Sequence, residues 1–258
     1  MILKFEMWIP QFRQNRRVHM YLPDDYKTAN KKYPVLYMFD GHNLFEDSSA
    51  TYGKSWNLPN KIKESGKELI VVGLECSHNG NDRLSEYAPF TYADSDYDGV
   101  FEGRGKDTMD FFVKSLKPYI DGLFPTKTDR ENTWIGGSSC GGTMALYGIE
   151  NYSDYFSKAL VISPYIRPFY DHMLIQTWHA KIKKPSSVYF SWGALEGSGK
   201  HAFIQETIMV TNIANSLLDK GIEIHFNVKE EGQHCEAAWE QEAPEFIKFL
   251  FKEKETSV

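Results

Sequence analysis

Apolar positions fall along the chain in short runs separated by polar, glycine-marked connections. Near the N-terminus Leu3, Phe5 and Met7 alternate with polar neighbours, and so do Val18, Met20 and Leu22. A period of two predicts a pair of antiparallel strands, with the turn at Gln11–Asn15. Further on the runs are continuous: YPVLYMF at 33–39, ELIVVGL at 68–74, FSKALVI at 156–162 and VYFSW at 188–192. Such runs suit strands buried on both faces. Ile222, Ile224, Phe226 and Val228 oppose Glu223, His225 and Asn227, which predicts a final strand with one wetter face. Helical spacing of three and four marks 108–123, with Pro118 as a candidate kink, and 201–220, which stops at Gly221. Shorter helices are expected at 56–65 and 169–182, and a closing one at 235–252. Strands and helices alternate from Tyr33 onwards. That order gives an α/β fold, a mostly parallel central sheet flanked by helices, with antiparallel strands at the N-terminal edge. No linker or repeat divides residues 1–258, so one domain is expected. Residues 75–106 show little periodicity and read as either a lid or binding loop or surface decoration.

One stretch departs from simple packing logic. At 134–142 an apolar strand end, Trp134-Ile135, runs into Gly136-Gly137-Ser138-Ser139-Cys140-Gly141-Gly142, and a helical pattern begins at Thr143. The spacing Gly137-x-Ser139-x-Gly141 fits a nucleophile elbow, a sharp strand-to-helix turn that exposes a serine hydroxyl. Glycines on both sides suit it because the turn presses neighbouring segments together. Ser139 is therefore the candidate nucleophile, and Ser138 has the wrong phase.

A serine hydroxyl needs a base to take its proton, and in the elbow architecture the acid and then the histidine follow the nucleophile in the chain. His201, His225 and His234 come late enough. His225 lies within the last strand and His201 opens a helix, whereas His234 follows the strand end beside Gly232. His234 is the candidate base. For the acid, Glu196 sits in a glycine-bounded loop after the 188–192 strand. Asp171, Glu206, Asp219, Glu230 and Glu231 read as solvated charges or fall too close to His234. Glu236 and Trp239 are candidates to support the histidine loop. The N–H of Cys140 and an N–H from Gly41-His42, in the loop after the 33–39 strand, are the candidate oxyanion donors.

Composition narrows the setting. A formal charge of −6 offers no field for nucleic acid or an anionic membrane. The aromatic share of 15% suits a pocket for ring-bearing ligands. Three cysteines, Cys76, Cys140 and Cys235, form neither an even set nor a C-x-x-C pair. That count argues against a disulfide framework and against a thiolate zinc site, and it suits a reducing cytoplasm. The first residues alternate and read as a strand in place of a signal peptide, and no apolar run reaches membrane-spanning length.

The segments YMFDGHNLF, VVGLEC, DRLSEYAPF, LKPYIDGLFPTKTDRENTWIGGSSCGG, SWGALEG and GQHCEAAW together resemble the "Putative esterase" family of α/β-hydrolases, which includes esterase D-like and feruloyl or acetyl esterase domains. The resemblance covers nearly the whole chain and implies the α/β-hydrolase fold. It implies a triad of Ser139, Glu196 and His234, with Cys140 and Gly41-His42 at the oxyanion hole, and no cofactor or metal. Many relatives carry Met where Cys140 stands and Asp where Glu196 stands. The element 83–89 resembles a recurrent structural feature beside the active site. The expected activity is that of a serine carboxylesterase on a small ester, such as an acetyl or feruloyl ester of a carbohydrate. Acyl transfer from the same acyl-enzyme, or binding without chemistry on the same fold, are the rival readings.

Overall fold

The computed structural model describes residues 1–94 and 97–252; Ser95 and Asp96, inside the 75–106 stretch, and residues 253–258 lie outside the described residues. Strands β1 (Ile2–Ile9) and β2 (Gln14–Tyr21) form the antiparallel pair, in register from Ile2 opposite Tyr21 to Ile9 opposite Gln14. The continuous apolar runs become β3 (Val35–Phe39) and β4 (Ile70–Leu74), buried at every position, with helix α1 (Leu58–Ser65) between them.

The 75–106 stretch is more structured than its pattern suggests. It contains a short helix, α2 (Asp82–Glu86), and a hairpin of β5 (Tyr92–Asp94) and β6 (Gly99–Phe101). These elements are too short for periodicity to reveal, and Tyr92 and Phe101 are paired across the hairpin with their rings buried.

The helix expected at 108–123 forms in three pieces: α3 (Gly105–Phe111), a π turn at Phe112–Leu116, and α4 (Lys117–Leu123). Pro118 stands in the first turn of α4, where its missing N–H leaves no partner wanting, and the wide turn before it absorbs the ring. There follow β7 (Thr133–Ser139), α5 (Cys140–Asn151), β8 (Lys158–Pro164), α6 (Tyr170–His179), β9 (Ser187–Gly193), α7 (Lys200–Asp219), β10 (Glu223–Lys229) and α8 (Glu236–Leu250).

Eight strands make one sheet in the order β1-β2-β4-β3-β7-β8-β9-β10, and β5-β6 stand apart. From β4 to β10 every pairing is parallel, and β1 and β2 run antiparallel at one edge. Successive residues of β3 serve opposite faces. Val35, Tyr37 and Phe39 join the core that holds Met109, Phe112, Met144 and Val210, while Leu36 and Met38 join Trp56, Trp239 and Phe246 beneath α1 and α8. The edge strand β10 is wetter than its alternation predicts, since Phe226 and Val228 stay exposed. Parallel strands all end at one rim, so the residues following β3, β7, β9 and β10 gather there.

Candidate active site

Ser139 is the last residue of β7 and holds φ 57° and ψ −127° immediately before α5. A non-glycine residue in such a conformation costs on the order of 1–3 kcal/mol and persists only where its surroundings enforce it. Close approach supplies the enforcement. A Cβ on Gly137 would lie 2.7 Å from the Gly141 carbonyl carbon, and one on Gly142 would lie 2.6 Å from the Ile162 oxygen. The β7–β8 ladder slips at this point, pairing Ser138 with Ile162 but Ser139 with Pro164. Helix α5 starts at Cys140, three residues before its apolar spacing becomes readable. Its first-turn N–H groups, which have no partners within the helix, thus begin directly after the serine.

Glu196 and His234 come from the loops after β9 and β10, and Nδ1 of His234 lies 3.1 Å from Oε2 of Glu196. The other Glu196 oxygen, Oε1, accepts from Ser163 Oγ at 2.7 Å and from the Gly193 N–H at 2.6 Å. Trp239 Nε1 donates to Ser163 Oγ at 2.9 Å, and the Trp239 ring stands edge-on to His234 with centroids 5.2 Å apart. Both carboxylate oxygens are therefore committed, which fixes the acid and, through it, the ring. His234 is 37% exposed against 15% for Glu196, so the imidazole meets the cleft while the acid is shielded behind it. Among the described residues the ring is hydrogen-bonded to Glu196 and not to Ser139, although both line one cleft. Bonds of that kind are often long without substrate and tighten with it.

Two glycines clamp the loops together. A Cβ on Gly193 would lie 2.3 Å from the Gly232 oxygen, and that oxygen accepts from the Leu195 N–H at 3.0 Å. The acid loop and the histidine loop thus share backbone contacts just before each functional side chain.

The candidate oxyanion loop leaves β3 through Asp40, at φ 54° and ψ 50°, into a 3-10 turn at Gly41–Asn43. Gly41 presses against Gly73 so closely that a Cβ would sit 2.3 Å from its carbonyl oxygen. Arg83 grips Asp40 with two bonds, Nε to Oδ1 at 2.9 Å and Nη2 to Oδ2 at 2.7 Å. Burial pushes the Asp40 carboxyl up, yet the Arg83 guanidinium more than offsets it and holds the group below the usual aspartate value. The ring of His42 is buried, its Nε2 lies 3.0 Å from Thr51 Oγ1, and burial lowers its pKa. His42, Cys140 and Ser139 all line one cleft of about 640 Å³.

The sequence marked residues 83–89 as an element beside the site, and Arg83 is its anchor on the Asp40 turn, a role not foreseen. Two further participants went unrecognised. Ser163, itself at φ 43°, links Glu196 to Trp239. Glu206 on α7 is not a solvated charge: its Oε1 is shut from water with no partner among the described residues, and burial, reinforced by Glu196, pushes the carboxyl up to about 7. No periodicity flags such roles, because each depends on which side chain faces it from another element.

Residues 9–249 match the family model described as "Putative esterase". The uncharacterized protein YbbA of Bacillus subtilis is 26% identical over 221 residues, which cover 84% of this chain and 80% of that protein. Esterase Rv1288 of Mycobacterium tuberculosis is 28% identical over 145 residues, covering 56% of this chain but only 28% of its own length. Among solved structures, an IroE-like serine hydrolase from Shewanella oneidensis superposes with a TM-score of 0.77 at 16% identity, covering 98% of this chain and 82% of the other. At that identity the likeness speaks for the fold alone, which is that of the α/β-hydrolases. With the family model spanning all but the two ends of the chain, the protein belongs to the putative esterase family.

Proposed function

We propose that Ser139, His234 and Glu196 are the catalytic triad of this esterase, working in a single catalytic domain on a small-molecule ester. The observation that carries the reading is Ser139, held at φ 57° at the mouth of a cleft shared with a histidine that is bonded to a committed glutamate. In this scheme His234 takes the Ser139 proton through Nε2 as Oγ attacks the carbonyl, and Glu196 stabilises the imidazolium. The N–H groups of Cys140 and of the Gly41-His42 segment receive the oxyanion; one such donor is worth roughly a hundred- to a thousand-fold in rate. His234 then protonates the leaving alcohol, and a water activated by the same ring releases the acid. A wall bearing Tyr52, Tyr97 and Tyr165 beside Asn43, Ser77 and Asn81 supports an ester with a ring and hydroxyl groups. Neither acyl transfer nor binding without chemistry is favoured by any feature of the site.

Three free cysteines support a reducing, cytoplasmic setting. Among the described residues no helix is long and apolar enough to cross a membrane. Hydrolysis of p-nitrophenyl, acetyl-sugar and feruloyl esters, each compared between the native chain and Ser139→Ala, tests the reading. Turnover confined to the native chain supports it, and equal turnover by both removes it.

A further inference from the structure

Beside the candidate oxyanion loop, His42, Cys76 and His78 each offer a ligand atom, and these atoms all lie within 4.8 Å of one another. The residues come from two strand ends, His42 after β3 and Cys76 and His78 after β4, so the parallel pairing of those strands brings them together. No spacing in the sequence signals this, which is why a thiolate metal site is not expected from the cysteines alone.

A second observation points to a ligand there. His42 is 5% exposed, its Nε2 is bonded to Thr51, and its Nδ1 is buried with no hydrogen-bond partner among the described residues. In the tautomer whose Nε2–H donates to Thr51, Nδ1 carries a bare lone pair out of reach of water, a cost that buried polar groups seldom bear. The same arrangement is what a metal-bound imidazole needs, one nitrogen oriented by a hydroxyl or carboxylate and the other free for the ion. His78 stands next to it, its Nε2 3.5 Å from Oε2 of Glu75 and its ring edge-on to that of His42 with centroids 4.8 Å apart.

We propose that His42, Cys76 and His78 form a site for a soft or borderline d10 cation of the Zn2+ class, and that occupancy shuts the esterase cleft. Two imidazole nitrogens and one sulfur exclude Mg2+ and Ca2+, which take oxygen ligands. Zinc bonds of about 2.0–2.1 Å to nitrogen and about 2.3 Å to sulfur require the ligand atoms to close to roughly 3.5 Å apart. His78 is 57% exposed and free to make most of that approach, whereas His42 and Cys76 are buried. Forming the Zn–S bond displaces the Cys76 thiol proton to solvent against burial and the Asp40 charge, which both push the thiol up. All three residues line the cleft that Ser139 and His234 share, so the fourth coordination position faces the space an ester must enter. An ion on the His42 ring also holds the turn that carries the candidate oxyanion donors.

The inhibitory half of this proposal rests on the esterase reading, but binding is measured without turnover. Calorimetric titration of the full chain with Zn2+ is expected to give one ion per chain. Cys76→Ser and His78→Ala are each expected to weaken binding at least tenfold, while Cys235→Ser, beside His234, leaves it unchanged. Titration with Co2+ is expected to add a thiolate charge-transfer band that Cys76→Ser abolishes. Ester hydrolysis by the native chain should fall with Zn2+ and recover with a chelator, and His78→Ala should blunt that fall at least tenfold in Zn2+ concentration. Absence of stoichiometric binding, or binding undiminished in both Cys76→Ser and His78→Ala, overturns the site. Inhibition that persists in those variants but disappears in Cys235→Ser overturns it in favour of an ion at the His234 loop.

Discussion

At the scale of single residues the site depends on a few side chains, of which Glu196 is the most firmly held, by Ser163, the Gly193 N–H and His234. Ser139→Ala is expected to lower kcat by about five to six orders of magnitude while leaving the fold intact, as removal of a triad nucleophile does. Glu196→Gln keeps the shape of the acid but removes the charge that faces Nδ1 of His234. A loss of roughly a hundred- to ten-thousand-fold in kcat is expected. Glu206 lies near enough for its charge to be felt by Glu196, yet it makes no bond to His234, so Glu206→Gln should cost less than tenfold. Steady-state kinetics on the three variants checks this, and a larger loss in Glu206→Gln than in Glu196→Gln would reassign the acid. That Ser139, Glu196 and His234 gather at one rim was legible in the sequence, because each ends or follows a strand that announces itself by apolar run or alternation. Arg83 and Ser163 were not, since a guanidinium or hydroxyl turned inward has the same letter as one turned outward.

Between elements, positioning falls to backbone contacts and one ion pair. Arg83 is 28% exposed and fastens Asp40 by two parallel bonds, so it sets the left-handed turn from which Gly41 and His42 follow. A lysine cannot reproduce that fork. Arg83→Lys is expected to lower kcat about ten- to a hundred-fold with KM within about threefold, since an oxyanion donor acts chiefly on the transition state. Comparison of kcat and KM for native and variant chains decides it, and a change in KM alone would assign Arg83 to substrate binding. Gly232→Ala forces a Cβ against the Gly193 Cα, 2.8 Å away, and so pushes the histidine loop off the acid loop. A comparable drop in kcat is expected, accompanied by lower thermal stability. The helix at 108–123 shows the limit of reading elements from pattern: its spacing was correct, yet the π turn at Phe112–Leu116 leaves the spacing of neighbouring helical residues readable and changes only their phase. The hairpin β5–β6 was illegible for the opposite reason, being three residues per strand.

Across the whole molecule the sheet order places the ends of β3, β7, β9 and β10 on one rim, and this is the level at which the sequence was most informative. Alternating strands and helices leave few alternatives to a parallel sheet. Stability has a pH signature away from the rim. Glu150 on α5 is buried, and burial pushes its carboxyl up to about 7 against the hydrogen bonds of Thr177 and Gln176 and the charge of Lys220. A raised acid favours folding while it stays protonated. Its contribution is complete below the unfolded value near 4.5, declines by about 1.4 kcal/mol per pH unit above it, and is gone once pH passes about 7. Glu150→Gln, neutral at every pH, should therefore gain stability over the native chain between pH 5 and pH 8, read from denaturant midpoints at both. Equal differences at the two values would contradict that account.

A fluorophosphonate reports on the Ser139 hydroxyl itself. Labelling of the full chain followed by peptide mass spectrometry is predicted to place one adduct per chain on Ser139, and His234→Ala should slow its formation by at least a hundredfold. An adduct on another residue, or unlabelled protein that still hydrolyses esters, would contradict the role of Ser139.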